Sequence, residues 1–235
     1  MQDNRKISIC IPTWERDGLL FKSFEQVHDD ERVSEIIIVD DCSNQGLYDL
    51  LIEKCKAYSK VKLFRNAHNQ DCYKNKAISV SHATNDFCIL FDSDNVLDKE
   101  YIDRIFEIQE WDKHTAYLPS FAKPLFSYTQ HEGVTITREN AASYIMQSMM
   151  STCLNCMNYF VHGKEFLRVR DEDVNPHTSD SLFQNYNWLK HGNKLYIVKD
   201  LHYEHLVHQE SHYIKNHEKT GKFHNELMQK IFELR

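Results

Sequence analysis

Two short β-branched or aromatic runs that end abruptly in acid constrain this chain more than any other feature. Residues 35–39, Glu-Ile-Ile-Ile-Val, lead into Asp40 and Asp41, and residues 87–91, Phe-Cys-Ile-Leu-Phe, lead into Asp92-Ser93-Asp94-Asn95. Strands that are apolar on both faces belong to a sheet covered on both sides, the setting of parallel α/β folds. In open sheets of that kind the ligand crevice lies outside the carboxyl ends of the strands, so both acidic pairs are expected to border one crevice. Carboxylates at the end of a buried strand need a cation or hydrogen-bond donors. Their oxygens are hard ligands that suit Mg²⁺ or Mn²⁺ carrying a phosphate group. Asp, Ser and Asn are also turn formers, and a plain polar turn is the alternative for each pair taken alone.

The intervening stretches fit the same scheme. Residues 6–11 read as a first strand closed by Pro12-Thr13, and Leu19, Leu20, Phe24 and Val27 then fall at helical spacing. Asn44 is placed to cap a second helix with Leu47, Leu50, Leu51 and Cys55 as its apolar stripe. A third strand at 61–64 and a third helix at 71–84, with Ala77, Ile78 and Val80 inward, lead to the strand at 87–91. Repeated strand–helix alternation predicts a mostly parallel central sheet flanked by helices. No Gly-x-Gly-x-x-Gly follows the first strand, which argues against an ordinary dinucleotide-binding Rossmann site.

Ile9-Cys10-Ile11-Pro12-Thr13-Trp14-Glu15-Arg16, Val39-Asp40-Asp41-Cys42-Ser43, Asn75, and Leu90-Phe91-Asp92-Ser93-Asp94-Asn95 resemble, in order and spacing, the nucleotide-sugar-binding half of family 2 glycosyltransferases with a GT-A fold. The resemblance is dense over 6–106 and looser over 153–212. It implies that Pro12, Thr13, Trp14 and Glu15 line the nucleotide pocket and that Asp41 accepts a hydrogen bond from the base. An acceptor there suits uracil or thymine, with guanine as a further option. The resemblance makes Asp94 the direct metal ligand, places Asp92 and Ser93 against ribose or a metal-bound water, and puts Lys74 where an Arg is usual, beside the base or diphosphate. Lysine offers a point charge in place of a bidentate fork. Asn69-Gln70-Asp71 departs from the family pattern, which has a Gly there.

The second half is expected to be a smaller mixed acceptor-side region. Strands are expected at 115–121, 134–137 and 157–161, with the loop Lys123-Pro124-Leu125-Phe126 between the first two, and Gly163 to Leu167 after the third resembles the family's short helix near the acceptor site. After a polar loop at 171–178, a helix opens at Ser179-Asp180 and closes at His191-Gly192, with Leu182, Tyr186 and Leu189 on one face. The resemblance makes Asp180 the catalytic base; the local alternative is that Thr178, Ser179 or Asp180 caps the helix. Glu172 and Asp173 are the next carboxylates in line for the base.

Six of the fourteen histidines lie between His202 and His224. His202, His205, His208 and His212 have spacings that suit one helix face, either solvated or functional. His208-Gln209-Glu210-Ser211-His212 is not the zincin motif, because its Glu is misplaced by one. Cys153-Leu154-Asn155-Cys156 is similar to half of a zinc deaminase signature, in the wrong order and without its Pro. The family resemblance instead brings one histidine of this segment to the metal or diphosphate, His205 first and His208 second. The final stretch, 213–235, reads as a helix with Phe223, Leu227, Ile231 and Leu234 on one side.

A chain of 235 residues is long enough for one continuous domain, divided into a nucleotide-sugar half at 1–106, an acceptor and catalytic half at 107–212 and a C-terminal helix at 213–235. The net charge of −7 argues against nucleic acid as the main partner. Seven scattered cysteines point to reduced thiols and a cytoplasmic setting, and no stretch reads as a signal peptide or a transmembrane segment. The expected activity is that of an inverting glycosyltransferase dependent on Mn²⁺ or Mg²⁺. It would move a sugar from a nucleoside-diphosphate sugar, UDP- or dTDP-type, to a glycan, glycolipid or glycoprotein hydroxyl. The alternatives are a nucleotidyltransferase, disfavoured by a first turn without the Gly-rich, basic character that such enzymes need, and a non-catalytic nucleotide-sugar or glycan-binding module.

Overall fold

The computed structural model describes residues 4–147, 149–206 and 212–234, without the side chains of 177 and 212–220. In chain order its elements are β1 (Ile7–Thr13), α1 (Gly18–Lys22), β2 (Val33–Asp40), α2 (Gln45–Cys55), β3 (Val61–Arg65), α3 (Asp71–Ser81), β4 (Phe87–Leu90), β5 (Asn95–Val96) and α4 (Lys99–Glu107). The second half adds β6 (Thr115–Lys123), β7 (Phe126–Ser127), β8 (Thr135–Ile136), α5 (Ala141–Ile145), α6 (Met150–Leu154), β9 (Tyr159–His162), α7 (Gly163–Arg168), α8 (Asp180–Lys190), β10 (Lys194–His205) and α9 (His212–Phe232).

One sheet runs through both halves in the order β3-β2-β1-β4-β9-β6-β10-β5, with β7 paired to β6 and β8 to β10. The first four strands in that order are mutually parallel. Beyond β4 the sheet is mixed: β9 is antiparallel to β4 and β6, and β10 is parallel to β6. Alternate strand residues enter two separate cores, as a two-fold side-chain period requires. Ile7, Ile9, Ile11, Ile36 and Ile38 pack on the side of α1, α2 and α4, while Cys10, Ile37, Val39 and Leu90 pack on the side of α3, α7, α8 and α9. Both sets are fully buried, and the polar residues Ser8 and Glu35 of the same strands are buried as a hydrogen-bonded pair.

Asn44 caps α2 as expected, its Oδ1 accepting from Leu47 N at 3.0 Å, but the apolar stripe is narrow: Leu51 is buried and Leu50 is 40% exposed. The inward face of α3 differs more. Tyr73, Asn75, Lys76, Ser79 and Val80 are buried there, while Ala77 and Ile78 are half-buried. A polar buried face survives because its groups are bonded: Asn75 Nδ2 donates to Val39 O at 3.1 Å, Tyr73 OH to Gln184 Oε1 at 3.3 Å, and Arg170 Nη2 to Tyr73 O at 2.8 Å. The histidine row is not one helix face. His202 and His205 lie on β10, His212 begins α9, and His208 lies outside the described residues. The C-terminal helix buries Leu227 and Ile231 against the α8 side of the sheet. No described helix is long and apolar enough to cross a membrane.

Candidate functional site

The carboxyl ends of β1, β2 and β4 open onto a cleft of about 1140 Å³. That is larger than the usual small-molecule site and suits two substrates side by side. Pro12, Thr13, Trp14, Glu15, Asp41, Asp92, Ser93, Asp94, Asp180 and His205 all line it. Lys74 does not; it is exposed on α3, and Lys76 reaches the cleft instead. The signal for that exchange lies in the helix period, since Lys76 stands four residues before the inward Val80 and so shares its face.

Asp40 and Asp41 separate in role. Asp40 is fully buried and folds its own turn, accepting from Ser43 N at 3.1 Å and from the Ser43 hydroxyl, with Arg65 Nε 3.5 Å away. It does not line the cleft, contrary to the expectation that both acids border it. Asp41 Oδ1 accepts from Asn66 Nδ2 at 2.7 Å and from Gln70 N at 2.8 Å, while Asp41 N bonds to Thr13 O at 2.8 Å. Burial pushes the Asp41 carboxyl up from its usual range, against the pull of Asn66 and Gln70. The Asn69-Gln70-Asp71 loop thus holds Asp41 through a backbone N–H, and Asp71 takes the left-handed conformation, φ 69°, that glycine adopts freely. Glu15, also at positive φ, clasps Asn44 through both carboxylate oxygens at 2.7 Å, tying the β1 turn to the β2 turn.

The Asp92-Ser93-Asp94 turn is held from the residue just before β9. Asn158 Oδ1 accepts from Asp92 N at 2.7 Å, and Asn158 Nδ2 donates to Asp92 Oδ2 at 3.1 Å. Asp94 faces Arg16, whose Nη2 lies 3.5 Å from Oδ2. Antiparallel pairing of β10 with β5 sets His205 opposite Asn95, the residue after Asp94. Asn95 Oδ1 is buried without a hydrogen-bond partner among the described residues. Carboxylate and amide oxygens with one imidazole are hard or borderline donors, and this set fits Mg²⁺ or Mn²⁺. Asp98, Glu100 and His202 also bring ligand atoms within 4.8 Å of one another, away from the cleft. There Lys123 Nζ, 2.7 Å from His202 Nε2, already supplies a cation.

Asp180 opens α8 and is 7% exposed. Ser179, at the N-cap, makes no side-chain capping bond, and Asp180 turns its Oδ2 to Lys76 Nζ at 2.9 Å. Lys76 Nζ also lies 3.1 Å from Asp92 Oδ1. Burial works against a charge on Lys76, yet the carboxylates of Asp180 and Asp92 outweigh it and lift the ammonium well above its ordinary value. Glu172 is bound by Arg170 at 2.6 Å, and neither it nor Asp173 lines the cleft.

A parallel α/β half with its acids at the strand ends, extended by a mixed half that brings in one further carboxylate, defines a GT-A-type nucleotide-sugar fold. The sequence model of glycosyl transferase family 2 matches residues 8–164, and the chain belongs to that family. Abequosyltransferase RfbV of Salmonella typhimurium is 32% identical over 98 residues, which cover 40% of this chain and 29% of RfbV. Among solved structures, S. aureus TarS 1-349 in complex with UDP-GlcNAc superposes with a TM-score of 0.69 at 15% identity, covering 97% of this chain and 67% of that one. A longer TarS structure gives 0.64 at 15% identity, and this chain covers 37% of its length. The TarS likeness shows the shared fold.

Proposed function

We propose that this chain is an inverting, metal-dependent glycosyltransferase that takes its sugar from a nucleoside-diphosphate donor. The observation that carries the reading is the position of Asp180 on the same cleft as Asp92 and Asp94, with one lysine between Asp180 and Asp92. TarS was solved with UDP and with UDP-GlcNAc, which supports a UDP- or dTDP-type donor here.

Asp41, oriented by Asn66 and Gln70, presents its carboxylate on the cleft as an acceptor for a pyrimidine N–H. Trp14, half-exposed at the mouth, offers a face for the base or ribose. Asp94, with His205 beside it, would hold Mn²⁺ or Mg²⁺, which supplies Lewis-acid charge to the departing diphosphate when bound. Asp180 takes the proton of the acceptor hydroxyl on the face opposite the leaving group, and single displacement there inverts the anomeric centre. Ser151, Thr152 and Asn155 on the same wall are uncharged hydrogen-bonding groups, in keeping with a glycan hydroxyl as acceptor, free or on a lipid or protein. All seven cysteines are free thiols, which supports the cytoplasmic placement.

The test is a thermal-shift screen of nucleotide sugars with and without Mn²⁺, followed by NMR of the product from the best donor. A ligand that binds only the native state raises its melting temperature. Metal-dependent stabilisation by a nucleotide sugar and a product of inverted anomeric configuration are expected. Retained configuration, or binding without transfer or donor hydrolysis, would overturn the reading.

A further inference from the structure

We propose that Lys76 is a positioning residue for transfer: its ammonium fixes the Asp180 carboxylate against the Asp92 turn and so joins the acceptor side of the cleft to the donor side. This rests on the reading of Asp180 as the base. Lysine is almost never buried unless it is paired, and Lys76 is 6% exposed with two carboxylates in reach. The partners come from distant parts of the chain, Asp180 lying 104 residues on. Around Lys76 the helix itself is pinned, by Asn75 to the β2 backbone and by Tyr73 to Gln184 and Arg170. The ammonium therefore starts from a rigid base and reaches a residue at the first turn of α8 that lines the cleft.

Lys76 engages one carboxylate oxygen of Asp180, Oδ2, and leaves Oδ1 for a proton. A point charge with three donors suits this role, because two donors serve Asp180 and Asp92 and no planar fork is needed. Without the cation, Asp180 and Asp92 would confront each other as like charges, and the base would swing away from the acceptor. Lys76 thus acts through Asp180, with no contact to the reacting atoms required.

A double-mutant cycle tests this, because residues that act as one unit are not additive. Lys76→Met, Asp180→Asn and the double variant are assayed with the nucleotide sugar selected by the Mn²⁺ screen, and UDP and dTDP binding is measured by calorimetry. Lys76→Met should lower kcat by about 10-fold to 100-fold, within the range of a misplaced base. Its affinity for UDP or dTDP should stay within about 3-fold, below the loss expected from a broken charge-assisted contact. In the Asp180→Asn background the same change should cost nothing further, and Lys76→Arg should recover part of the rate by restoring the charge. Should Lys76→Met fail to fold, Lys76→Gln and Lys76→Arg carry the cycle.

Multiplying losses in the double variant, or nucleotide affinity that falls in step with kcat, would show Lys76 acting on the donor and overturn the proposal. So would wild-type kcat in Lys76→Met. Near-normal turnover in Asp180→Asn alone removes the base reading itself, an outcome visible before any lysine variant is made.

Discussion

The proposed donor side and the proposed acceptor side of the cleft are organised by different means. On the donor side Asp41 is held by Asn66 and Gln70 N, which follow the neighbouring parallel strand β3, and Asp92 by Asn158, just before the antiparallel β9, with Lys76 Nζ 3.1 Å away. On the acceptor side Asp180 depends on one buried lysine from α3, across the join between the halves. A strand end confers its geometry directly, because backbone pairing fixes the turn that follows it. A helix start such as that of α8 must be steered from outside. Substitutions on the acceptor side should therefore act on the rate, and those on the donor side on binding.

Asp180→Asn should break the comparison most visibly. The amide keeps size and shape but cannot take a proton, so kcat should fall by about 10² to 10⁴, the range for losing a positioned base. Donor and metal affinity by calorimetry should remain near wild type. Weakened donor binding in this variant would mean that the two sides are not separable.

Asp94→Ala is the donor-side counterpart. If Asp94 is the direct ligand proposed, its loss should cost at least about 10-fold to 100-fold in divalent-dependent nucleoside-diphosphate affinity, as much as the loss of an outer-shell partner. The fold should persist, since Asp94 is partly exposed and its ion pair is with another cleft residue, Arg16. Calorimetric titration of UDP with and without Mn²⁺ measures it, and unchanged metal-dependent affinity would take Asp94 out of the site.

His205→Ala should sharpen the boundary, because β10 belongs to the second half while His205 lines the cleft opposite Asn95. Imidazole is a better ligand for Mn²⁺ than for Mg²⁺, so the loss, about 10-fold, should be larger with Mn²⁺. Equal loss with both ions would make His205 a packing residue against Phe126, whose ring lies 5.3 Å away.

The same contrast explains what is legible in the sequence alone. Ile36-Ile37-Ile38-Val39 and Cys88-Ile89-Leu90 announce buried parallel strands by composition, and the acids at their ends announce the crevice. Asn44 before Leu47 is a local capping signal, and it holds. The helix period puts Lys76 on the inward face with Val80, but its role escapes a sequence reading because its partners, 16 and 104 residues away, are brought together only by the fold. Asn158 is invisible for the same reason: nothing near it in sequence says that it will brace Asp92. The separation of Asp40 from Asp41 depends on which side of the strand end each faces, and that follows from sheet register. The histidine row misleads because its three- and four-residue spacings suit a helix, whereas β10 extends through His205 by pairing with β6 and β5.

Glu35→Gln probes the donor half at the opposite end of β2, far from the chemistry, and should have the smallest effect on turnover. Burial alone would raise the Glu35 carboxyl, but Lys62 at 2.7 Å, Ser8 Oγ at 2.6 Å, and Thr84 through N at 2.6 Å and Oγ1 at 2.8 Å reverse that and bring it down to about 2. A carboxyl whose folded value lies below its unfolded one adds stability above the unfolded value, near 4.5, and loses it as pH falls towards 2. The contribution at neutral pH is at most about 3 kcal/mol from a shift of that size. Thermal melts of the wild type should therefore drop steeply between roughly pH 4.5 and pH 2, the window set by those two values. In Glu35→Gln the drop should be shallower, while kcat at neutral pH stays within about 2-fold, as expected for a change outside the cleft. Identical acid slopes for the two proteins would show that the Ser8–Glu35–Thr84 cluster holds together without its charge.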